Sequence, residues 1–481
     1  MSKRILLAAL LTAGTLTSAA DTPDPMSNAE FRGALALLDR WTDAYQVYGR
    51  VPGLSVGVVM DQDLVWSKGY GYANVRRKVP ADTDTLYSIC SISKLFTSIA
   101  LMQQRDAGKL QLDDPVARHL EWFDIQQTYP DSGPITVRSL LTHSSGLPRE
   151  SVHYYWNPDY PFPTRDELIA GLAGQETLYP EGKYFQYSNL ALTLAGEIAA
   201  SAAGKPYEDL VQDAILTPLG LADTRPYLPR ELHGSRMAIG YGPIDREGKR
   251  TTEPPFDAAG IRPAAGFTSS VRDLARFASW QFRLLENGGE EVLKASTLRE
   301  MQRVQWVDPD WKTTWGLGFI VEHVGDKTVV GHDGGCPGYI TQFSMMPKHK
   351  LAVVVLTNAG DGDPFRVTQA AYKLLGAAHT AMQKAPTEPL PDLSAYEGLY
   401  HIHPWASEVA VVQMGPRLAV ATLPSLDPTE GLVKLEQIDD DLFRRVRESD
   451  DDLGESWTFE RNAAGAVTGL HYHGVRMTRA D

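Results

Sequence analysis

Ser91-Ile92-Ser93-Lys94 sets a hydroxyl and an amine three residues apart, a spacing that puts both on one face of a helix. Such a pair can do nucleophilic chemistry. A lysine buried deeply enough to lose its proton can take the proton of the serine and activate its oxygen. The free N–H groups of a helical first turn favour negative charge at the same place. Ser-x-x-Lys is a common pattern, so alone it identifies nothing. Tyr187-Ser188-Asn189 is the second candidate. A phenol can relay a proton to a leaving group, and an asparagine can orient a lysine or bind a substrate carbonyl. The same pattern occurs at Tyr72-Ala73-Asn74 and Tyr155-Trp156-Asn157, which read as aromatics packed on loops. Tyr187 is preferred because Pro180-Glu181-Gly182 and Phe185 set a turn before it and a helical pattern follows. His332-Asp333-Gly334-Gly335 is the third. Glycines after a strand let a substrate backbone lie along the sheet edge, and the Gly335 N–H can pair with the Ser91 N–H as an oxyanion hole. His332 can donate to a substrate or tune Lys94 and Tyr187. Taken alone, this stretch is equally a hairpin turn with a surface histidine.

The elements that must hold these groups are legible from periodicity. Residues 28–45 place Phe31, Leu35, Leu38 and Trp41 on one helical face. Residues 54–59 and 64–66 flank Asp61-Gln62-Asp63 as a β-hairpin. Residues 91–105 are strongly helical, with Leu95, Ile99 and Met102 on one side and Gly108 past the end. Further helices are predicted at 190–202, at 271–285 with Ser270 as its cap, and at 364–375. Strands are predicted at 316–324, 328–331, 339–346 and 351–358. Strands, then helices, then strands indicate an α+β fold with an antiparallel sheet. Lys384 to Pro391 carries three prolines and no hydrophobic period, so residues 377–391 read as a linker between a 28–376 domain and a 392–481 domain. In the latter, short alternating runs at 408–414, 418–421, 432–438, 443–446, 456–460, 467–472 and 475–478 predict a small antiparallel barrel or sandwich.

Composition narrows the partners. The 481 residues are 43% hydrophobic and 22% charged, ordinary for a globular chain, with a net charge of −14. From Pro386 onward there are 8 basic and 17 acidic residues, so much of the negative charge sits in the last fifth. That surface repels nucleic acid and anionic lipid, and Arg76-Arg77-Lys78 is too short a basic cluster to reverse it. Residues 1–20 read as an export signal: Lys3 and Arg4, an apolar stretch from Ile5 to Leu16, then Thr17-Ser18-Ala19-Ala20 for cleavage. The stretch is short of the ~20 apolar residues of a membrane span, and no later segment is apolar enough, so the cleaved chain has no integral membrane segment. The expected location is the periplasm or the medium. No phosphate-cradling loop is present, since Gly182-Lys183 lacks the following Ser/Thr, and no cofactor is expected.

Ser91-x-x-Lys94, Tyr187-x-Asn189 and His332-x-Gly334, in that order and spacing, resemble the penicillin-recognising serine hydrolases. That family includes class C β-lactamases, D-alanyl-D-alanine carboxypeptidases, D-aminopeptidases and related esterases. Leu140-Leu141-Thr142-His143-Ser144-Ser145-Gly146-Leu147, Pro263-Ala264-Ala265-Gly266-Phe267 and Trp315-Gly316-Leu317-Gly318-Phe319 are similar to recurrent stretches of the family. The likeness covers residues 28–376. It implies a β-lactamase/transpeptidase-like antiparallel sheet flanked by helices, and an acyl-enzyme on Ser91 with Lys94 and Tyr187 moving the proton. Asn189 would contact the substrate amide, and Gly334 and Gly335 would border the oxyanion site. His332 stands where β-lactamases of the family usually carry lysine. A neutral imidazole cannot hold a carboxylate as a fixed charge does, so the resemblance favours D-amino-acid peptides of carboxypeptidase or aminopeptidase type, or small esters, over antibiotics. A β-lactamase is the alternative, and an inactive module that binds cell-wall peptide is a reading of another class. Some relatives carry a lipocalin-like barrel after the catalytic domain, and Tyr396-x-Gly398-x-Tyr400 is compatible with one. Such a barrel could cap the cleft, support assembly, or take no part in catalysis. The oligomeric state is left open.

Cys90 and Cys336 are the only cysteines. Under these assignments they lie on adjacent walls of one site, where an oxidising compartment favours a disulfide over two buried thiols. His401, His403, His471 and His473 could converge on zinc if the first and last strands of the barrel were neighbours, but surface positions are the commoner outcome and no metal is assigned.

Overall fold

The computed structural model describes residues 24–382 and 390–480. The predicted export signal and residues 383–389 of the predicted linker lie outside them. Six longer strands form the body of a nine-stranded sheet: β1 (Gly53–Met60), β2 (Asp63–Asn74), β3 (Ile320–Val324), β4 (Lys327–Cys336), β5 (Tyr339–Met346) and β6 (Leu351–Thr357). Their spatial order is β2-β1-β6-β5-β4-β3, with every neighbouring pair antiparallel. β1 and β6 are buried along their whole length because helices cover both faces of the sheet. That is why both read as near-continuous apolar runs and not as alternation.

On one face lie α1 (Ala29–Tyr48) and α6, the helix at Pro364–Met382. Phe31, Leu38, Trp41, Val367 and Ala371 share a core there with Val56, Val58, Val353 and Val355. On the other face lie α2 (Ser93–Asp106), α3 (Asn189–Ala203), the short α4 (Arg262–Ala265) and α5 (Val271–Asn287). Their core takes Leu95, Ile99, Met102, Leu194 and Phe277 with Phe343, Val354 and Leu356. Ser270 caps α5 by accepting the Asp273 N–H, as its position implies.

Several details differ from the sequence reading. β4 does not stop at Gly331 but runs through His332-Asp333-Gly334-Gly335 to Cys336, so this stretch is strand and not a hairpin turn. Residues 316–319 are a bend before β3 and not part of it: Gly318 has φ +78°, and a Cβ there would lie 1.9 Å from Ser98 Oγ. α6 continues to Met382, past the boundary placed at 376. The C-terminal part also forms a strand that the periodicity did not mark, Gly398–His401, four residues long.

That strand closes the C-terminal barrel. Its eight strands are β7 (Gly398–His401), β8 (Glu408–Met414), β9 (Arg417–Leu423), β10 (Val433–Asp439), β11 (Leu442–Val446), β12 (Leu453–Arg461), β13 (Val467–Tyr472) and β14 (Val475–Arg479). The first and last pair through Tyr400↔Arg479 and His401↔Thr478. Tyr396, Tyr400, Phe443, Phe459, Leu470 and Met477 fill the interior. On its outside, Ala410, Val412, Ala419 and Ala421 join the core of α1, and the Trp41 indole donates to the Ser425 carbonyl at 3.2 Å. The barrel is therefore docked on the α1 side of the sheet and does not cap the opposite face. Among the described residues no three His, Cys, Asp or Glu side chains are grouped to hold a metal ion, so the four barrel histidines do not converge. No described helix is long and apolar enough to cross a membrane.

Candidate active site

Ser91 sits in a 3-10 turn, Cys90–Ile92, just before α2 and not within it as the helical pattern predicted. The turn begins on Cys90 at φ +49°. It leaves Ser91 half-buried at the helix entrance while Lys94, one turn on, is fully buried. The Lys94 ammonium nitrogen has three neighbours: Ser91 Oγ at 3.0 Å, Asn189 Oδ1 at 2.8 Å and the Ala264 carbonyl at 2.8 Å. A carbonyl and an amide oxygen can only accept, so two of the amine's N–H bonds are committed to them. Once Lys94 is neutral, its lone pair is left facing the Ser91 hydroxyl. Burial pulls its pKa down to about 7, opposed by the charge of Glu150 and reinforced by that of Arg149. The site therefore holds an amine that is substantially unprotonated near neutrality, aimed at a hydroxyl.

Asn189 begins α3, after the Ser188 cap, and its amide is oriented from behind. Its Nδ2 donates to Glu150 Oε1 at 2.7 Å, which fixes Oδ1 toward Lys94. Glu150 also accepts from the Tyr155 hydroxyl and from the Trp156 indole at 3.1 Å. Tyr155 thus supports the site from the second layer.

Tyr187 lies across the same pocket, its ring centroid 4.9 Å from Lys94 Nζ and 4.9 Å from the Arg149 guanidinium. Burial raises its pKa, with the Ser91 hydroxyl bond pulling the other way, so the phenol keeps its proton. Of the two candidates for the base, Lys94 is the one whose environment removes a proton in the resting site.

His143 holds the Tyr187 segment. Its carbonyl accepts from Gln186 N at 2.7 Å, its Nδ1 accepts from Ser188 N at 3.0 Å, and its ring stacks on Tyr187 at 4.4 Å. Trp315 packs edge-on against His143 at 5.0 Å and against His332 at 5.7 Å. The stretches Leu140–Leu147, Pro263–Phe267 and Trp315–Phe319 thereby gain physical roles: a clamp on Tyr187, a carbonyl for Lys94, and an aromatic wall.

β4 supplies the remaining side. Its other edge pairs with β3 only as far as Gly331, so His332 to Cys336 border the cleft without a strand partner there among the described residues. A Cβ on Gly334 would lie 2.3 Å from the Ile89 carbonyl, so only glycine lets β4 approach the Ser91 turn this closely. Gly335 is exposed, with no such crowding. Cys90 and Cys336 are joined by a disulfide, Cα atoms 5.8 Å apart, which ties the two walls together.

His332 is buried, and its Nδ1 lies 2.6 Å from the Asp333 carbonyl. A carbonyl only accepts, so Nδ1 carries the proton and Nε2 presents a lone pair, with no protein partner. The expectation of a donor toward substrate is corrected on this point: the neutral ring offers an acceptor. Burial also pushes its pKa down to about 4, so the ring is neutral near pH 7.

The sequence reading thus named the groups in contact, Ser91, Lys94, Tyr187 and Asn189, together with the β4 residues beside them. It missed Glu150, Arg149 and the Ala264 carbonyl. The one signal for Glu150 was chemical: an asparagine whose Oδ1 binds a lysine leaves two amide protons needing an acceptor.

A family model described as Beta-lactamase matches residues 38–378. The chain belongs to the beta-lactamase family. Within that family it is 28% identical over 371 residues to "D-alanyl-D-alanine-carboxypeptidase/endopeptidase AmpH" of Escherichia coli K12, covering 75% of this chain and 92% of the relative. It is 26% identical to "Penicillin-binding protein 4*" of Bacillus subtilis, over 62% of this chain and 66% of the relative. Among solved structures, the octameric penicillin-binding protein homologue from Pyrococcus abyssi superposes with a TM-score of 0.62 at 26% identity, covering 92% of this chain and all of that one. This beta-lactamase-family chain is an enzyme of the serine hydrolase type, and the superposition extends over its barrel as well.

Proposed function

We propose that the protein is an exported serine hydrolase that forms an acyl-enzyme on Ser91 and acts on D-amino-acid-containing peptides or small esters. The single observation that carries this reading is the contact of Lys94 Nζ with Ser91 Oγ inside a buried, already hydrogen-bonded setting. In the proposed reaction neutral Lys94 accepts the Ser91 proton as Oγ attacks the substrate carbonyl. The N–H groups of Ser91 and Gly335 receive the oxyanion. Tyr187 passes a proton to the leaving group, and water then releases the acyl group.

Two features support the substrate class. The E. coli relative is named for D-alanyl-D-alanine carboxypeptidase and endopeptidase activity. The free edge of β4 can also pair with an extended backbone, as a peptide provides and a fused bicyclic ring does not. His332 supplies no positive charge for a carboxylate, which disfavours the β-lactamase alternative. Periplasmic or secreted location is proposed from residues 1–20 and agrees with the Cys90–Cys336 bond.

A fluorophosphonate and a fluorescent penicillin test the reading. Labelling that maps to Ser91 and is lost in Ser91→Ala supports it; folded protein that neither probe labels would make the chain a binding module. A panel of D-aminoacyl anilides, D-Ala-D-Ala peptides, nitrophenyl esters and a chromogenic cephalosporin then ranks the substrates. Turnover of the cephalosporin above all others would overturn the peptide reading.

A further inference from the structure

Glu150 belongs to no motif, yet its carboxylate is the hub behind the site. It accepts an N–H of the Asn189 amide at 2.7 Å and also accepts from the Tyr155 hydroxyl and the Trp156 indole. Its side chain is only 21% exposed, and its neighbour Arg149 approaches it at 3.4 Å before lying over the Tyr187 ring. Two opposite charges on consecutive residues, paired with each other, thus stand beside the Lys94 pocket. We infer that Glu150 is a positioning residue that locks the Asn189 amide toward Lys94 and, opposed by Arg149, sets the pH at which Lys94 becomes a base. The inference rests on the proposed role of Lys94.

Without a fixed acceptor behind it, the Asn189 amide could turn and offer Nδ2 to Lys94, a donor facing a donor. The carboxylate prevents this, because it can bond only the NH2 end. Its negative charge also favours the ammonium form of Lys94, while the guanidinium favours the neutral amine. The other ionisable groups that act on this pocket are Asp333, His143, His332 and Tyr187, whose phenol keeps its proton. Burial keeps both histidines neutral over the working range, and Asp333 is 63% exposed on β4, where solvent screens it. Glu150 and Arg149 are left as the adjustable pair.

The experiment is the pH dependence of fluorophosphonate labelling at Ser91 in the full chain, wild type against Glu150→Gln and Arg149→Gln. Glutamine keeps an oxygen for Asn189 but removes the charge. Its acid limb is expected to move down by about one pH unit, the effect of one charge at close range. Arg149→Gln, at an exposed position that leaves the fold intact, is expected to move the limb up. A lost structural contact would lower the rate of both variants without shifting the limbs in opposite directions. If wild type shows no inflection near 7, the role of Lys94 fails. If it does and the Glu150→Gln limb coincides with it, or the Arg149→Gln limb fails to rise, the inference is overturned while Lys94 stands.

Discussion

Lys94 Nζ lies 3.0 Å from Ser91 Oγ, and the two other acceptors around that nitrogen cannot exchange roles with the hydroxyl. The direction of the Ser91–Lys94 bond is thereby tied to the charge of the lysine. As an ammonium it donates to Ser91 and holds the oxygen's lone pair; as an amine it accepts, and the lone pair is free for attack.

Removing the amine should separate chemistry from fold. Lys94→Ala is expected to lower the rate of Ser91 acylation by roughly 10²–10⁴-fold, the usual contribution of a positioned base. Labelling kinetics beside a thermal unfolding curve check this. A folded variant acylated at the wild-type rate would exclude Lys94.

Tyr187 keeps its proton, so its contribution should depend on how badly the leaving group needs one. Tyr187→Phe is expected to lose about 10²-fold or more on D-aminoacyl anilides and far less on nitrophenyl esters, whose phenolate leaves unaided. Equal losses on both substrates would assign the hydroxyl to attack and not to departure.

The Cys90–Cys336 bond spans 246 residues of chain and fixes the Ser91 turn to β4. Reduction, or paired replacement by serine, should cost roughly 2–5 kcal/mol of stability and reduce acylation. Unfolding with and without reductant measures the first, and labelling the second. Unchanged values for both would show that the bond carries neither.

Adjacent glycines of β4 should respond oppositely to one added methyl. Gly334→Ala places a Cβ against the Ile89 carbonyl and is expected to destabilise the fold and abolish labelling. Gly335→Ala meets only Ile340 Cδ1 at 3.5 Å and should fold normally. Two equally stable variants would contradict the close approach of β4 to the Ser91 turn.

Much of this was legible in the sequence because it is local. The 3.6-residue period of α1 and α5 reflects helices that keep polar residues on their outer side, and the short spacing of Ser91 to Lys94 and of Tyr187 to Asn189 carries its geometry with it. The rest left no mark on residue type or period. β4 continues past Gly331 because β5 pairs with it through Cys336↔Tyr339, a hairpin pairing that the glycines concealed. The tautomer of His332 is decided by a carbonyl one residue on, and its low pKa by burial; neither leaves a mark on residue type. Glu150 was silent because a carboxylate on a loop ordinarily faces water. The four-residue strand Gly398–His401 is too short to show a period, although it closes the barrel.

The central claim is that a neutral Lys94 activates Ser91, and the rate of Ser91 fluorophosphonylation against pH measures it most directly. Burial draws the folded pKa of Lys94 down to about 7 from its usual 10.5, so the amine form is gained as pH rises through that value. The account predicts a rate that climbs through one inflection near pH 7 and then levels, and that loses this inflection in Lys94→Ala. A rate that is flat from about pH 5 to 9 in the wild-type protein, or an inflection that survives the loss of Lys94, would contradict it.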